Sequence, residues 1–260
     1  MQTLKKARER QNTIHQLLMQ NGSVTLKEIR AKVGCSEATI RNDFREMEQQ
    51  GLLKRVSGGA ISSDSLIRNS GMEVRSHDNA EAKEKMAEYV ATHLLKPGMI
   101  VTLDSGSTTL AIARKIADYR IPLTVITNSF PIMQLLCGLR DVTLYFAGGE
   151  YDARHQSFHD ENAERMMRSL HSELCLIAPN GIDYQGNITN SGTSEHSIKR
   201  IMIENSLRTV IVADHSKLGK SELKLLASSK EIPEVVTDRA VNERQMRLLQ
   251  EAGFRLSVAE

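Results

Sequence analysis

The sequence lacks most of the features that mark secreted, membrane-bound or metal-binding proteins. Its 260 residues include only three cysteines, Cys35, Cys137 and Cys175, which are odd in number and widely spaced. This spacing predicts neither a disulfide framework nor a metal site, and each cysteine is interpreted as a small packed residue, with redox sensing as the alternative. No apolar run is long enough to cross a membrane, and the basic N-terminus has no signal-peptide core. We therefore expect a cytoplasmic protein with no cofactor, no metal and no membrane partner.

The charge is small in total but is divided unevenly along the chain. The formal net charge is +2, yet residues 1–60 hold eleven Lys and Arg against six Asp and Glu. This segment therefore carries +5, which leaves −3 for the other 200 residues. A basic segment is what phosphate binding needs, because released counterions drive the association. A merely solvated basic surface is the alternative.

Two helices are predicted before residue 34. Residues 4–20 form the first, with Ile14, Leu17 and Leu18 on its apolar side. Its start carries basic residues that contact phosphates or are solvated, namely Lys5, Lys6, Arg8 and Arg10. Thr25 and Glu28 have the spacing of a capping box and open the second helix, after which Gly34 makes a tight turn.

A third predicted helix runs from the N-cap Ser36 to Gly51 and has two different faces. Apolar residues at helical spacing form the inward face, namely Ile40, Phe44 and Met47. The other face carries Arg41, Asn42 and Arg45. Two short helices joined by a tight turn, the second exposing Arg and Asn, describe a helix-turn-helix whose second helix enters a DNA major groove.

The residues after the third helix predict a β-hairpin wing that lies on DNA phosphates. Lys54 and Arg55 interleave there with apolar residues, just before Gly58. The predicted DNA-binding residues are Ser36, Glu37, Thr39, Arg41, Asn42, Arg45, Lys54, Arg55, Ser57 and Gly58.

The rest of the chain predicts a linker and an α/β domain. Residues 1–61 are assigned to the winged helix-turn-helix, the Ser-, Asn- and Gly-containing residues 62–81 to a linker, and residues 82–260 to the second domain. Short apolar runs alternate there with helices, which favours a mostly parallel sheet covered on both faces. The predicted strands are Met99–Leu103, Leu123–Thr127, Val142–Phe146, Leu174–Ala178, Thr209–Ala213, Val235–Val236 and Arg255–Val258.

The loops after these strands predict one ligand site. The loop from Asp104 to Thr109 offers hydroxyls, backbone N–H groups and a helix dipole to a phosphate, although hydroxyl residues are also ordinary helix caps. Lys217 is predicted to neutralise that phosphate, while Asn128, Asp183 or Asp104 meets sugar hydroxyls. The predicted effector-binding residues are Asp104, Ser105, Gly106, Ser107, Thr108, Thr109, Asn128, Ser129, Gly148, Gly149, Gly181, Asp183 and Lys217.

A catalytic interpretation has less support. His155, His159 and His215 are candidate bases, and Asp160 and Glu161 form a carboxylate pair. No oriented pair of nucleophile and base is evident, so no catalytic residue is predicted.

The DNA-binding segment, CSEATIRNDFREMEQQGLLKRVSGGA, resembles the DeoR family of bacterial transcriptional regulators. The family pattern is close to VSxxTIRRDLxxLExxGxLxRxHGGA. Asn42 replaces a usual Arg, which changes the favoured base from guanine towards adenine. Ser57 replaces a usual His in the wing.

The second domain also resembles this family, whose sensor domain carries LDSGTTT, TNS, GG, GANGID and ADSSKFG in the same order. That sensor domain is similar in fold to ribose-5-phosphate isomerase and glucosamine-6-phosphate deaminase, which implies a phosphorylated sugar as effector. By this resemblance the Ser-Gly-Ser-Thr-Thr loop and Lys217 hold the phosphate. Asp160, Pro179 and His215 replace the usual Gly, Ala and Ser, and such changes shift sugar preference.

The resemblance implies a transcriptional regulator. We expect a repressor of a carbohydrate-metabolism operon that binds double-stranded operator DNA as a homodimer or homotetramer and is released by a phosphorylated sugar. The alternative is a sugar-phosphate isomerase or deaminase fused to a DNA-binding domain. A nucleic-acid packaging protein fits poorly, because the basic charge is confined to one small segment.

Overall fold

The computed structural model of the chain describes residues 10–18, 23–49, 52–56, 59–62, 72–192 and 194–260. The chain divides into two compact units, Met1–Arg75 and Ser76–Glu260, each with its own hydrophobic core. Gly51, Ser57 and Gly58 lie outside the described residues, and so do residues 63–71 of the predicted linker.

The first unit contains three helices and a three-stranded sheet among its described residues. Helix α1 covers residues 10–18, β1 is Ser23–Thr25, α2 is Leu26–Val33, α3 is Glu37–Gln49, β2 is Leu53–Val56 and β3 is Gly59–Ser62. Strands β2 and β3 pair antiparallel as the predicted hairpin, and β1 pairs antiparallel with the other side of β3. The sequence does not predict β1, because three residues are too few to show the alternation of a strand.

Side-chain caps fix the connection between α2 and α3. Glu28 N donates to Thr25 Oγ1 at 3.2 Å and Thr25 N donates to Glu28 Oε2 at 2.8 Å, so the predicted capping box is confirmed. Gly34 ends α2 with a left-handed φ of 64°, a conformation that side chains with a Cβ disfavour. Thr39 N donates to Ser36 Oγ at 3.2 Å, which confirms the N-cap of α3.

The second unit is built on a seven-stranded parallel sheet. Its strands, with those of two smaller sheets, are β4 (Ile100–Leu103), β5 (Leu123–Thr127), β6 (Val142–Phe146), β7 (Tyr151–Asp152), β8 (Ser157–Phe158), β9 (Leu174–Ile177), β10 (Gly181–Ile182), β11 (Asn187–Asn190), β12 (Thr209–Val212), β13 (Lys224–Ser228), β14 (Glu234–Asp238) and β15 (Arg255–Ala259). The order in the large sheet is β15-β14-β12-β9-β4-β5-β6. All its pairings are parallel, which confirms the predicted sheet and its seven strands to within two residues at each end.

The strand order reverses between β4 and β9. The chain runs outward from β4 through β5 to β6, then returns to the other side of β4 and continues from β9 to β15. In an open parallel sheet this reversal creates a crevice at the carboxyl ends of the two central strands, where ligands bind. The topology therefore directs attention to the loops that follow β4 and β9.

Helices precede and connect the strands of the second unit. They are α4 (Met72–His77), which spans the boundary between the units, α5 (Ala80–His93), α6 (Ser107–Asp118), α7 (Phe130–Leu136), α8 (Glu161–Arg168), α9 (Ser194–Glu204) and α10 (Glu243–Glu251). Because parallel crossovers are right-handed, the reversal of strand order places α6 and α7 on one face of the sheet and α9 and α10 on the other.

Three local features differ from the sequence-based expectation. Helix α4 and the start of α5 occupy residues that composition alone assigns to the linker. A two-stranded hairpin, β7–β8, follows β6, and β10, β11 and β13 form a separate antiparallel sheet. Strands β7, β8 and β10 have two residues each, too few for periodicity to identify them, and β11 and β13 are not continuous apolar runs. Among the described helices, none has both the length and the apolar composition needed to cross a membrane.

Candidate functional site

Helix α3 presents a polar face to solvent opposite its buried face. Ile40, Phe44 and Met47 are at most 2% exposed and belong to the core of the first unit, as predicted. On the outward side, Arg41, Asn42 and Arg45 are all exposed. Their donors are therefore accessible to base edges or phosphates. The other predicted contacts near the start of α3 are the exposed Ser36 and Glu37 and the half-buried Thr39.

An ion pair that the sequence does not predict fixes α3 against α1. Arg10 Nη2 donates to Asp43 Oδ1 at 2.9 Å, and Arg10 Nε donates to Asp43 Oδ2. The hydrogen bond to Asp43 raises the pKa of Arg10. Asp43 is only 3% exposed, so its charge is removed from the solvent-exposed side of α3. The sequence predicts that Arg10 contacts a phosphate or is solvated. In the structure its guanidinium instead pairs with the buried carboxylate of Asp43.

The wing presents one described basic side chain. Arg55 is exposed and pairs with Glu48, with Arg55 Nε donating to Glu48 Oε2 at 2.6 Å and Arg55 N donating to Glu48 Oε1 at 2.8 Å. Lys54 lies in β2, where its backbone pairs with Ile61. An exposed pair of this kind is weak, so Arg55 can exchange Glu48 for a phosphate.

In the second unit, the loop after β4 is folded around the carboxylate of Asp104. Its Oδ1 accepts from Gly106 N at 2.7 Å and from Thr109 Oγ1 at 2.8 Å, while its Oδ2 accepts from Ala178 N at 2.8 Å. Asp104 is fully buried. The carboxylate predicted to meet a sugar hydroxyl therefore also ties the β4 loop to the β9 loop, on the two sides of the switch point.

The same loop places small residues at the start of α6. Gly106 is the N-cap, and α6 begins at Ser107. A Cβ on Gly106 would lie 2.6 Å from Ala178 Cβ, so only glycine allows the two loops to approach this closely. The hydroxyl-bearing Ser105 and Thr108, which the sequence assigns to an anion cradle, lie in this loop and in the first turn of α6, and both are buried. The cradle itself stays a prediction.

A buried lysine that the sequence analysis does not name lies beside this loop. Lys199, on α9, is within 3.2 Å of Asp104 Oδ2 and 3.1 Å of Glu195 Oε2, and its Nζ donates to Ala178 O at 2.9 Å. Its side chain is only 3% exposed. Burial alone would lower the pKa of Lys199, but Asp104 and Glu195 outweigh it and raise that pKa. The i,i+4 spacing of Glu195 and Lys199 is the sequence signal that points to this pair.

Glu195 extends this charged group to the β7–β8 hairpin. Its Oε1 lies 2.8 Å from His155 Nε2, and His155 Nδ1 lies 2.7 Å from Asp152 Oδ2. Burial lowers the pKa of His155, but the two carboxylates have the larger combined effect and raise it. Two basic side chains, Lys199 and His155, therefore alternate with the three carboxylates from Asp104 to Asp152.

Several buried polar atoms near the strand ends lack a hydrogen-bond partner among the described residues. They are Asn128 Oδ1, Ser129 Oγ and both amide atoms of Asn190. All three residues are fully buried, and Asn128 Nδ2 is held by Phe158 O at 2.8 Å. A buried polar atom without a partner costs free energy, which a ligand with hydroxyls would recover. Asn128 and Ser129 are predicted site residues, whereas Asn190 is not, because it lies at the end of the unpredicted strand β11.

The remaining predicted residues lie in neighbouring loops and have structural contacts of their own. Asp183 accepts from Asn187 N at 2.9 Å and shapes the turn between β10 and β11, and Gly181 is the first residue of β10. Gly148 and Gly149 follow β6, and a Cβ on Gly149 would meet the carboxylate of Asp160, which caps α8. Lys217 is half-buried and lies in the 3₁₀ turn His215–Lys217, which follows β12.

His215 and the pair Asp160 and Glu161 have ordinary structural settings. His215 Nδ1 contacts Asp238 Oδ2 at 2.9 Å. Asp160 accepts from Ala163 N at 3.1 Å as the N-cap of α8, where Glu161 is the first residue.

A winged helix-turn-helix unit followed by a parallel α/β unit is the architecture of a DNA-binding regulator with a second domain. Residues 10–66 match the family model of the DeoR-like helix-turn-helix domain, and residues 78–239 match that of the DeoR C terminal sensor domain. The chain belongs to the DeoR family of transcriptional regulators.

Named relatives are similar over most of their length. The transcriptional repressor AccR of Agrobacterium fabrum is 34% identical over 88% of this chain and 89% of that protein. The L-fucose operon activator of Haemophilus influenzae is 33% identical over 89% of this chain and 92% of that protein. A putative aga operon transcriptional repressor of Escherichia coli O157:H7 is 31% identical over 94% and 91%. Among solved structures, a ribose 5-phosphate isomerase from Methanocaldococcus jannaschii aligns with a TM-score of 0.40 and 18% identity, over 54% of each chain.

Proposed function

We propose that the chain represses a carbohydrate-metabolism operon and that a phosphorylated sugar, bound in the crevice of the second unit, relieves its binding to operator DNA. The observation that carries the proposal is the hydroxyl-rich loop at the start of α6, which lies at the switch point. Buried polar atoms at other strand ends have no hydrogen-bond partner among the residues that the structure describes. The loop suits a phosphate, and the polar atoms suit sugar hydroxyls. The names of the relatives support both an operon-specific role and a link to sugars.

The charges around the crevice favour binding of an anion. A buried Asp104 carboxylate would by itself repel a phosphate. Lys199 pairs with it directly, and the second carboxylate, Glu195, is bonded to both Lys199 and His155. The positive end of the α6 dipole then acts on the phosphate without a strong opposing charge. Lys217 supplies a further cation from the turn after β12.

The same charges favour a sensor over an enzyme. Lys199 and Asp104, the groups best placed for acid–base chemistry, are buried and already bonded to each other. A general base must instead be free to reach a proton of the substrate. We therefore propose that the sugar phosphate is bound without being converted, against the alternative of an isomerase or deaminase.

Release from DNA requires at least a dimer. Two helix-turn-helix units bind half-sites about 34 Å apart, or a multiple of that distance, only when their spacing matches. An effector that binds one arrangement of the sensor units more tightly shifts the population away from the matched spacing. We expect a homodimer or homotetramer.

The experiment combines stability, DNA binding and turnover. The purified chain is screened by thermal shift against sugar phosphates and the matching free sugars, because a ligand of the native state raises its stability. A hit is then added to the chain bound to DNA from upstream of its own gene, and product formation is measured in parallel. Stabilisation by one phosphate and not its free sugar, release of DNA and no turnover are expected. Turnover would favour the enzyme, and stabilisation by no phosphate would contradict the crevice assignment.

A further inference from the structure

A cluster of metal-ligating side chains lies on the β7–β8 hairpin and just after it. Ligand atoms of Asp152, His155 and His159 all lie within 4.8 Å of one another. In a tetrahedral zinc site with bonds of about 2.0–2.1 Å, ligand atoms are roughly 3.3 Å apart, so small side-chain rotations would complete the set. A cavity of about 330 Å³, lined in part by Tyr151, Asp152 and His159, opens beside the cluster. An ion therefore has a path to these side chains.

His159 has a nitrogen available for a ligand. Its Nε2 contacts Ser157 Oγ at 2.6 Å. Its Nδ1 is buried and has no hydrogen-bond partner among the residues that the structure describes. A buried ring nitrogen without a partner costs free energy, and coordination of a metal ion would recover it.

His155 has the support that metal-binding histidines usually have. A metal-bound imidazole typically donates its second ring N–H to a carboxylate, which fixes the orientation of the ring. His155 has one nitrogen facing Asp152 at 2.7 Å and the other facing Glu195 at 2.8 Å. Glu195 is itself held by Lys199 at 3.1 Å, so it is a rigid partner behind the ring.

The geometry points to a binding site for one divalent transition-metal ion such as Zn²⁺, with Asp152, His155 and His159 as ligands and Glu195 as a positioning residue. Two imidazoles and one carboxylate suit zinc or iron(II), whereas Mg²⁺ and Ca²⁺ prefer oxygen ligands throughout. The inference departs from the expectation of no metal, which rested on cysteine spacing. The spacing Asp152-x₂-His155-x₃-His159 is the sequence signal for it.

The test uses the full chain without an affinity tag, carrying Cys137→Ser, because Cys137 is exposed and thiolates are zinc ligands. After treatment with a chelator, Zn²⁺ is titrated by calorimetry and Co²⁺ by its visible absorption, which reports the ligand geometry. One equivalent is expected to bind. Glu195→Gln should weaken binding about 10- to 100-fold, the usual effect of removing such a carboxylate, and His159→Ala should weaken it by more.

His171→Ala is the matched control, since His171 is exposed and lies outside the cluster. It should leave the stoichiometry, affinity and Co²⁺ spectrum unchanged. Circular dichroism of each metal-free variant establishes that it is folded, and Asp152→Asn provides a second ligand variant if His159→Ala is not. Failure of the parent to bind one equivalent would overturn the proposal. The proposal would also be overturned if folded variants of the ligand residues had the same Co²⁺ spectrum and the same affinity as the parent.

Discussion

The two candidate sites of this regulator treat charge in opposite ways. On α3, Arg41 and Arg45 are exposed, while the acidic Asp43 is turned inward onto Arg10. In the crevice, Asp104 and Lys199 are almost fully buried and bonded to each other. A DNA-binding face needs accessible donors, because each phosphate or base contact replaces water. A crevice that recognises one small molecule needs fixed groups whose charges are balanced in advance.

The largest effect is expected from removing the buried cation. Lys199→Met leaves the carboxylates of Asp104 and Glu195 buried without their shared partner, and such a loss typically costs about 3–5 kcal/mol. The free energy of unfolding of the second unit, measured with urea, should fall by that amount. Lys96→Met, at an exposed lysine, is the control and should have little effect. A loss below about 1 kcal/mol for Lys199→Met would show that the pair behaves like a surface ion pair.

The next effect concerns the effector rather than stability. Thr108→Ala combined with Lys217→Ala removes one hydroxyl and one cation from the proposed phosphate site. Affinity for the sugar phosphate should fall at least about 100-fold, near 2.8 kcal/mol, while DNA binding is retained. Thermal shift and DNA release measure the two properties separately. A variant that still releases DNA at the parent's effector concentration would place the phosphate elsewhere.

The same contrast explains what the sequence could predict. The face of α3 follows from the helical spacing of Ile40, Phe44 and Met47, since this spacing puts Arg41 and Arg45 on the opposite side of the helix. Likewise, the strands of the parallel sheet are continuous apolar runs that can be found without knowing their neighbours. The pairing of Lys199 with Asp104 has no such local signal, because the two residues are distant in sequence and meet only through the order of β4 and β9.

A helix cap and a small sheet show the same difference between local and long-range signals. The capping box of Thr25 and Glu28 lies within four residues, and its spacing was sufficient to predict it. Strand β11, which carries the buried Asn190, is defined by pairing with β10 and β13. Residues whose roles depend on contacts between distant elements, such as Asn190, therefore escaped prediction.

A smaller effect is expected on the exposed face of α3. Arg41→Ala removes one candidate base or phosphate contact without touching the core, so DNA affinity should fall by about 2 kcal/mol, roughly thirtyfold. Fluorescence anisotropy with operator DNA measures the change, and the melting temperature should stay within error of the parent. Arg140→Ala, an exposed arginine of the second unit, is the charge-matched control. Equal affinities for Arg41→Ala and the parent would remove this face from the DNA contact.

The smallest effect tests whether Arg55, which pairs with Glu48 in the structure, contacts a DNA phosphate. Glu48 accepts two hydrogen bonds from Arg55, but both side chains are partly exposed, so the pair contributes at most about 1 kcal/mol. Glu48→Gln weakens the pair and frees Arg55 for a phosphate. Operator affinity should rise a few-fold, and the slope of log affinity against log salt should steepen by about one unit or less. If affinity and slope both stay unchanged, Arg55 does not contact DNA, and the wing binds through other residues.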